Sequence, residues 1–169
     1  MLPLMGLTGA DNDALAAIPP QRMDPRGAVP DLIVRTSNRP DDGEPAMDVR
    51  AVIDTYLRAW TTQDPDLIVT IFTHDATYHE RVLEAPIRTR AGIWAYWQSK
   101  VVEGQANIEA RLLNLYTATD GITVIAEWEA MFDDCVQGQR KRMREVAILE
   151  FEGERIASLR EYWASEIVG

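Results

Sequence analysis

The chain has 169 residues, 46% of them hydrophobic, and a formal net charge of −10. That length and apolar content suffice for one domain with a real core, while the negative charge excludes the counterion release that nucleic acid or an anionic membrane surface requires. The lone Cys135 rules out an internal disulfide and a Cys-x-x-Cys metal site and points to a reducing, cytoplasmic setting; no run of about 18 apolar residues spans a membrane.

Residues 1–46 hold seven of the nine prolines (Pro3, Pro19, Pro20, Pro25, Pro30, Pro40 and Pro45) and no sustained periodicity, so they are expected to be mostly disordered. Only Leu32-Ile33-Val34 has the character to dock. The opening Met1-Leu2-Pro3-Leu4-Met5-Gly6-Leu7 has no basic flank and is broken by Pro3 and Gly6, which is poor signal-peptide chemistry and predicts retention in the cytosol. Met47 is followed at once by a helical pattern. Residues 1–46 are therefore either an extension without a role or an arm over a partner or a pocket mouth, and 47–169 form the folded domain.

Val49, Val52, Ile53, Tyr56, Leu57 and Trp60 recur at spacings of three and four, which predicts an amphipathic helix over 48–62. Asp64-Pro65-Asp66 supplies an N-cap, a first-turn proline and an acid at the helix dipole, so a second helix runs to about Phe72. Residues 75–82 read as a short strand. Thr89 then caps a third helix whose Ile93, Trp94, Tyr96 and Trp97 form an aromatic flank.

Four strands follow, over 107–117, 122–136, 140–151 and 155–167, separated by turn signals at Asp120-Gly121, Gln137-Gly138 and Glu152-Gly153. The class is α+β, a helical layer followed by an antiparallel meander. With Gln137-Gly138 as a two-residue loop, Trp128 faces Ala147, Ala130 faces Glu145, and Phe132 faces Met143, while Arg142 meets Asp133. That register gathers Val124, Ala126, Trp128, Ala130, Phe132, Met143, Ala147, Leu149 and Phe151 on one apolar face. Glu145 alone interrupts it. Arg140, Lys141, Arg142 and Arg144 split between the faces and read as a solvated or subunit-interface row.

The order helix, helix, strand, helix, meander, with Tyr56, Asp64, Phe72, Asp75-Ala76-Thr77 and Arg160-Glu161-Tyr162-Trp163 in place, resembles the nuclear transport factor 2-like superfamily over residues 47–169. Within it the chain is most similar to SnoaL-like proteins, ketosteroid isomerases and limonene epoxide hydrolases. The resemblance implies a cone of three N-terminal helices packed on a strongly curved antiparallel sheet, a homodimer through the sheet face, and no cofactor. It places Tyr56 on the oxyanion-hole tyrosine of the ketosteroid isomerases, Glu80 on their base, and Trp97 and Trp163 on aromatic pocket positions. Ala147 departs from them where they carry a protonated aspartic acid. Against the epoxide hydrolases, Tyr78 falls on the water-positioning tyrosine and Glu161 on a catalytic aspartate. Glu80, Trp128 and Ala130 stand where those enzymes have asparagine, arginine and aspartate, which argues against their mechanism.

The chemistry expected is proton transfer on a small, largely apolar carbonyl compound by an isomerase, cyclase, lyase or hydrolase; a non-catalytic binding or dimerisation module of the same fold is the alternative. Glu80 shares the side of Tyr78 on its strand, and a carboxylate desolvated in an apolar cavity becomes a base near neutrality. A rim position paired with Arg81, Arg88 or Arg90 is the competing reading. Tyr56 and Tyr78 are the candidate donors to a ligand oxygen, although a buried tyrosine is as often satisfied by a backbone carbonyl. Glu145 is an auxiliary acid if a three-residue loop sets Glu161 opposite it, and a salt-bridge partner if a two-residue loop sets Arg160 there. Trp60, Phe72, Trp94, Trp97, Trp128, Met143, Glu161 and Trp163 complete the expected lining, or belong to an ordinary core. His74, assigned to a helix end, and His79 make no metal site.

Overall fold

The computed structural model describes residues 47–168. The head over 1–46, with its expected disorder and the Leu32-Ile33-Val34 docking stretch, lies outside the described residues. Three α-helices (α1 Val49–Thr62, α2 Pro65–Ile68, α3 Thr89–Trp97) accompany six strands: β1 Phe72–His79, β2 Ile87–Arg88, β3 Gln105–Thr117, β4 Thr123–Asp134, β5 Gln139–Glu152 and β6 Arg155–Ile167. The strands form one sheet in the order β2-β1-β6-β5-β4-β3. No helix among the described residues is long and apolar enough to cross a membrane.

The sheet is mixed, which corrects the expected antiparallel sheet behind three leading helices. β1 precedes α3, and the three later hairpins bring β6 back beside it in parallel, with Tyr78 opposite Leu159 and His79 opposite Arg160. Beyond Arg160, β6 runs on with no β1 neighbour. The segment from Glu80 to Pro86 turns away there to pair β2 with β1. Glu80 therefore sits just past the strand rather than on it, and His74, expected at a helix end, is an exposed residue within β1.

Local chemistry explains where the helices start and stop. The Asp48 carboxylate accepts from the Ala51 N–H at 3.0 Å, and the apolar stripe of α1 buries Ile53, Tyr56, Leu57 and Trp60. Gln63 ends α1 in the left-handed region at φ 53 and donates its side-chain amide to the carbonyls of Val101 at 2.9 Å and Gln105 at 2.8 Å. Asp64 accepts from the Leu67 N–H at 2.8 Å, and a 3₁₀ turn over Val69–Ile71 leads into β1. At the start of α3 the Thr89 hydroxyl accepts from the Gly92 N–H at 3.3 Å. The helix loosens into a π turn over Gln98–Val102, and Gly104 follows where a Cβ would stand 2.6 Å from the Lys100 carbonyl.

Two registers differ from expectation, and each has a visible cause. The β4–β5 hairpin closes at Asp134 opposite Gln139, so its loop has four residues instead of two. The Asp134 carboxylate accepts from the Val136 and Gln137 N–H groups at 3.0 and 2.9 Å, and Gly138 takes φ 65 to finish the turn. Trp128 consequently faces Glu145, Ala130 faces Met143, and Phe132 faces Lys141, while Arg140 rather than Arg142 meets Asp133. A slip of two keeps every side chain on its face.

At the β5–β6 hairpin, Gly153-Glu154 is the loop, and a bulge between Phe151 and Glu150 shifts the pairing by one. Neither expected partner stands directly across from Glu145: Trp163 does, and Glu161 faces Ala147. Glu161 is nonetheless inward with Glu145. Arg160 is outward and binds Glu150 at 2.8 Å. The inner face of β4, β5 and β6 joins the buried sides of α1, α2 and α3 in one core, and the site lies where that core gives out.

Candidate active site

α1, β1 and β6 each bring one polar group to the same point. Tyr56 leaves the buried stripe of α1, Tyr78 points inward near the end of β1, and Glu161 sits on the inner face of β6 just past the last β1 pair. The Tyr56 hydroxyl donates to Glu161 Oε1 at 2.7 Å and the Tyr78 hydroxyl donates to the same oxygen at 2.8 Å. The two hydroxyls lie 3.5 Å apart. Aromatic packing fixes both rings: Tyr56 stacks on Trp128 at 4.9 Å and meets Trp97 edge-on at 5.5 Å, while Tyr78 meets Tyr96 edge-on at 5.4 Å.

Glu145, on the inner face of β5, is the second carboxyl of the cluster and is 3% exposed. Its Oε1 has no hydrogen-bond partner, and the Trp128 indole N–H nearby closes no bond of its own. Burial pushes the Glu145 carboxyl well above its usual range, and the neighbouring Glu161 charge adds to the effect. Burial likewise raises Glu161, to about 7, against the pull of the two tyrosine hydroxyls that favour its ionised form. Tyr56 and Tyr78 are themselves raised far above the usual phenol value by burial and then by the Glu161 charge, so both keep their protons and act as donors. These four groups are two carboxyls that compete for charge and two phenols that stabilise it on one of them.

The cluster lies in a cavity of about 370 Å³. Of the residues expected around it, Tyr56, Tyr78, Trp60, Trp97, Met143, Glu145, Glu161 and Trp163 line the space. Glu80 also lines it, at the mouth: its side chain is 24% exposed and is paired with the Arg81 guanidinium at 3.2 Å. Phe72 and Trp128 are fully buried behind the wall. Trp94, expected as lining, points away from the cavity and donates its indole N–H to Asp66 at 2.8 Å, because the four-residue α2 brings that acid beside α3. Trp60 donates to the Gln105 side chain at 2.8 Å.

The sequence reading missed Tyr96 and Gln105 as lining residues, together with Lys100 and the Lys141–Asp134 pair at the opening, where the ion pair closes at 2.7 Å. Tyr96 was visible in the aromatic flank of α3 but was not separated from Trp94 beside it. The others depend on the π turn and the four-residue loop, neither of which leaves a periodic trace.

Comparison with known proteins adds a family and a fold. The family model for a SnoaL-like domain matches residues 53–159, more than half the chain. No curated protein sequence matches. Among solved structures, SalBIII, an epoxide hydrolase/cyclase-like enzyme of pyran ring formation in the polyether salinomycin, superposes with a TM-score of 0.62 at 22% identity, over 70% of this chain and 95% of that one. A hypothetical protein with a ketosteroid isomerase-like fold from Catenulispora acidiphila DSM 44928, in complex with trimethylamine, superposes with a TM-score of 0.59 at 22% identity, over 66% and 83% of the two chains. Likenesses at that identity speak to the fold.

Proposed function

The chain belongs to the SnoaL-like domain family, and from that premise we propose an enzyme of the isomerase or cyclase kind that moves a proton on a small, largely apolar, oxygen-bearing molecule with its own side chains. Glu161 is the base. Its Oε1 is held by Tyr56 and Tyr78, which leaves Oε2 to take a proton from a carbon next to a carbonyl or from a hydroxyl. Glu145, the carboxyl more averse to charge, keeps its proton and delivers it to the substrate oxygen. One proton shared between two neighbouring carboxyls equips the site to accept and donate in the same turnover.

The observation that carries this reading is the pairing itself: Glu145 and Glu161 are buried on one face beside a cavity, with two phenols committed to one of them. That commitment moves the tyrosines away from the role expected of them. Their protons point at Glu161, so they tune the base instead of polarising the substrate. Glu80, expected as the base, stands at the mouth beside Arg81 and serves at most to shape the entrance. The volume, near the lower end of ligand pockets, and the walls of Trp60, Trp97 and Tyr96 suit a compact uncharged ligand. The ring-forming role of SalBIII supports chemistry at an ether or hydroxyl oxygen.

A thermal-shift screen of small ketones, lactones, epoxides and hydroxy-epoxides, followed by NMR assays of the compounds that bind, tests the proposal. Glu161→Gln and Glu145→Gln are expected to keep binding and lose about 10²–10⁴ in turnover. Turnover equal to wild type in both variants would retire the proposal, and ligands that bind but are never converted would make the chain a binding module.

A further inference from the structure

The loop from Glu80 to Pro86 and the free end of β6 meet across one side of the site, and their contact is built from few parts. Trp163 lies directly across from Glu145 in the strand register and two residues along β6 from Glu161, on the same face. Its indole N–H donates to the Glu80 carbonyl at 3.2 Å, and the Arg81 guanidinium lies over its ring at 5.6 Å. Arg81 is held in turn by the Glu80 carboxylate at 3.2 Å and by Glu84 at 3.7 Å.

On the outer side of this contact is a second space, of about 840 Å³, lined by Val82, Leu83 and Tyr162. Glu80, Arg81, Glu145, Glu161 and Trp163 line both spaces. The inner cavity and the outer groove are therefore divided only by the carboxyl pair, the indole beside it and the two residues that hold the indole. Leu83, at the tip of the loop, is 98% exposed, so the loop has almost no packing of its own to lose if it swings outward.

We propose that Trp163, latched by Glu80 and Arg81, is a door on the groove side of the site: shut, it limits the water that reaches the Glu145–Glu161 pair from the groove, and with the loop swung out it admits the ligand from that side. The inference rests on the carboxyl pair being the reactive centre, and it makes Trp163 and Arg81 positioning residues that act through that pair. The sheet cannot do this work, because β1 leaves β6 at Arg160, and beyond it the indole meets the loop at Glu80 and Arg81 instead of a strand. Glu80, whose charge raises both carboxyls, moves with the loop and so changes the pair in the same direction as the entering water, while the other titratable groups facing the pair stay in place. Tyr56 comes from α1, Tyr78 from β1 and Tyr96 from α3, while Lys100 and the Lys141–Asp134 pair stand at the opposite opening.

The test is a carboxyl-carbon NMR titration of the full chain, which needs no substrate and so fails or succeeds apart from the turnover assay. In the wild type Glu161 is expected to titrate near 7. Trp163→Ala lets water in and is expected to lower that value by about 1–2 units. Trp163→Phe retains a ring for Arg81 to cover and restores most of the wild-type value. Trp163 is a third exposed and its loss leaves the core intact, so unchanged near-ultraviolet circular dichroism at the buried tryptophans certifies the fold. A Glu161 titration in Trp163→Ala that overlays the wild type, or a shift that Trp163→Phe fails to restore, overturns the proposal.

Discussion

Three glutamates on neighbouring strands are nearly closed to water, and they behave as opposites. Glu129, on the outer face of β4, accepts from Arg111 at 2.8 Å, Arg142 at 2.9 Å and Arg144 at 3.0 Å. These guanidinium groups, Arg111 first, hold its carboxyl down at about 2. Glu145 and Glu161, on the inner faces of β5 and β6, have phenols, the Trp128 indole and each other but no guanidinium bonded to them, and burial drives both upward. Low exposure does not decide the charge of a carboxyl; the donors around it do. The outer face ties strands together with a charge that never titrates near neutrality, and the inner face keeps two groups poised to exchange a proton.

The largest consequence is a stability that depends on pH in two separate windows. Glu161 has a folded value of about 7 against an ordinary 4.5, so the fold favours its neutral form. With respect to this group, stability is fully present below about 4.5 and is lost as the pH climbs through about 7, a loss of order 3 kcal/mol. Glu129 runs the other way, because its folded value is depressed. Its contribution is present above about 4.5 and is lost as the pH falls toward about 2. Urea unfolding at stepped pH is expected to show both limbs, with the double variant Glu145→Gln/Glu161→Gln flattening the neutral one and Glu129→Gln the acid one. A neutral limb that survives the double variant would break the comparison.

The next test gives the inner pair what the outer glutamate has. Met143 flanks Glu145 on the inner face and lines the cavity, so Met143→Arg sets a guanidinium beside the carboxyls without filling the packed core. The Glu161 value is expected to fall by about 1–3 units in a carboxyl NMR titration, with turnover lost alongside it. Tyr78→Phe moves the same value in the opposite direction by a smaller step. It removes one of two hydrogen bonds to an ionised oxygen and is expected to raise Glu161 by about one unit. Two shifts of the same sign would mean that something other than donor supply sets the charge.

How much of this was legible in the sequence follows from what each device leaves in the chain. The α1 stripe from Val49 to Trp60 and the alternation along β4 and β5 are periodic, and periodicity survives an error of two residues. Glu145 was therefore recognisable as inward even though its partner was misplaced, since the Asp134 turn added two residues and preserved the faces. The parallel pairing of β1 with β6 joins residues eighty apart, and no local pattern announces it. Glu161 comes inward beside Tyr56 and Tyr78 in the candidate site through that pairing and through a one-residue bulge. The sequence offered Glu80 instead because a strand was expected to carry it inward, and the strand stops at His79.

The smallest expected effect completes the contrast. Arg144 is one of two donors to Glu129 Oε2; Arg142 is the other, and Arg111 alone serves Oε1. Arg144→Gln therefore strands no oxygen, and the lost guanidinium is already half exposed. A stability loss under about 1 kcal/mol is expected, shrinking further in high salt as the remaining charges are screened. The inner face has no such reserve: Tyr56 and Tyr78 are the two donors to Glu161, and Glu145 Oε1 has none. Urea midpoints of Arg144→Gln in low and high salt decide the matter. A salt-independent loss above about 2 kcal/mol would show the outer cluster to be as intolerant of a missing donor as the inner one, and redundancy would no longer separate the two faces.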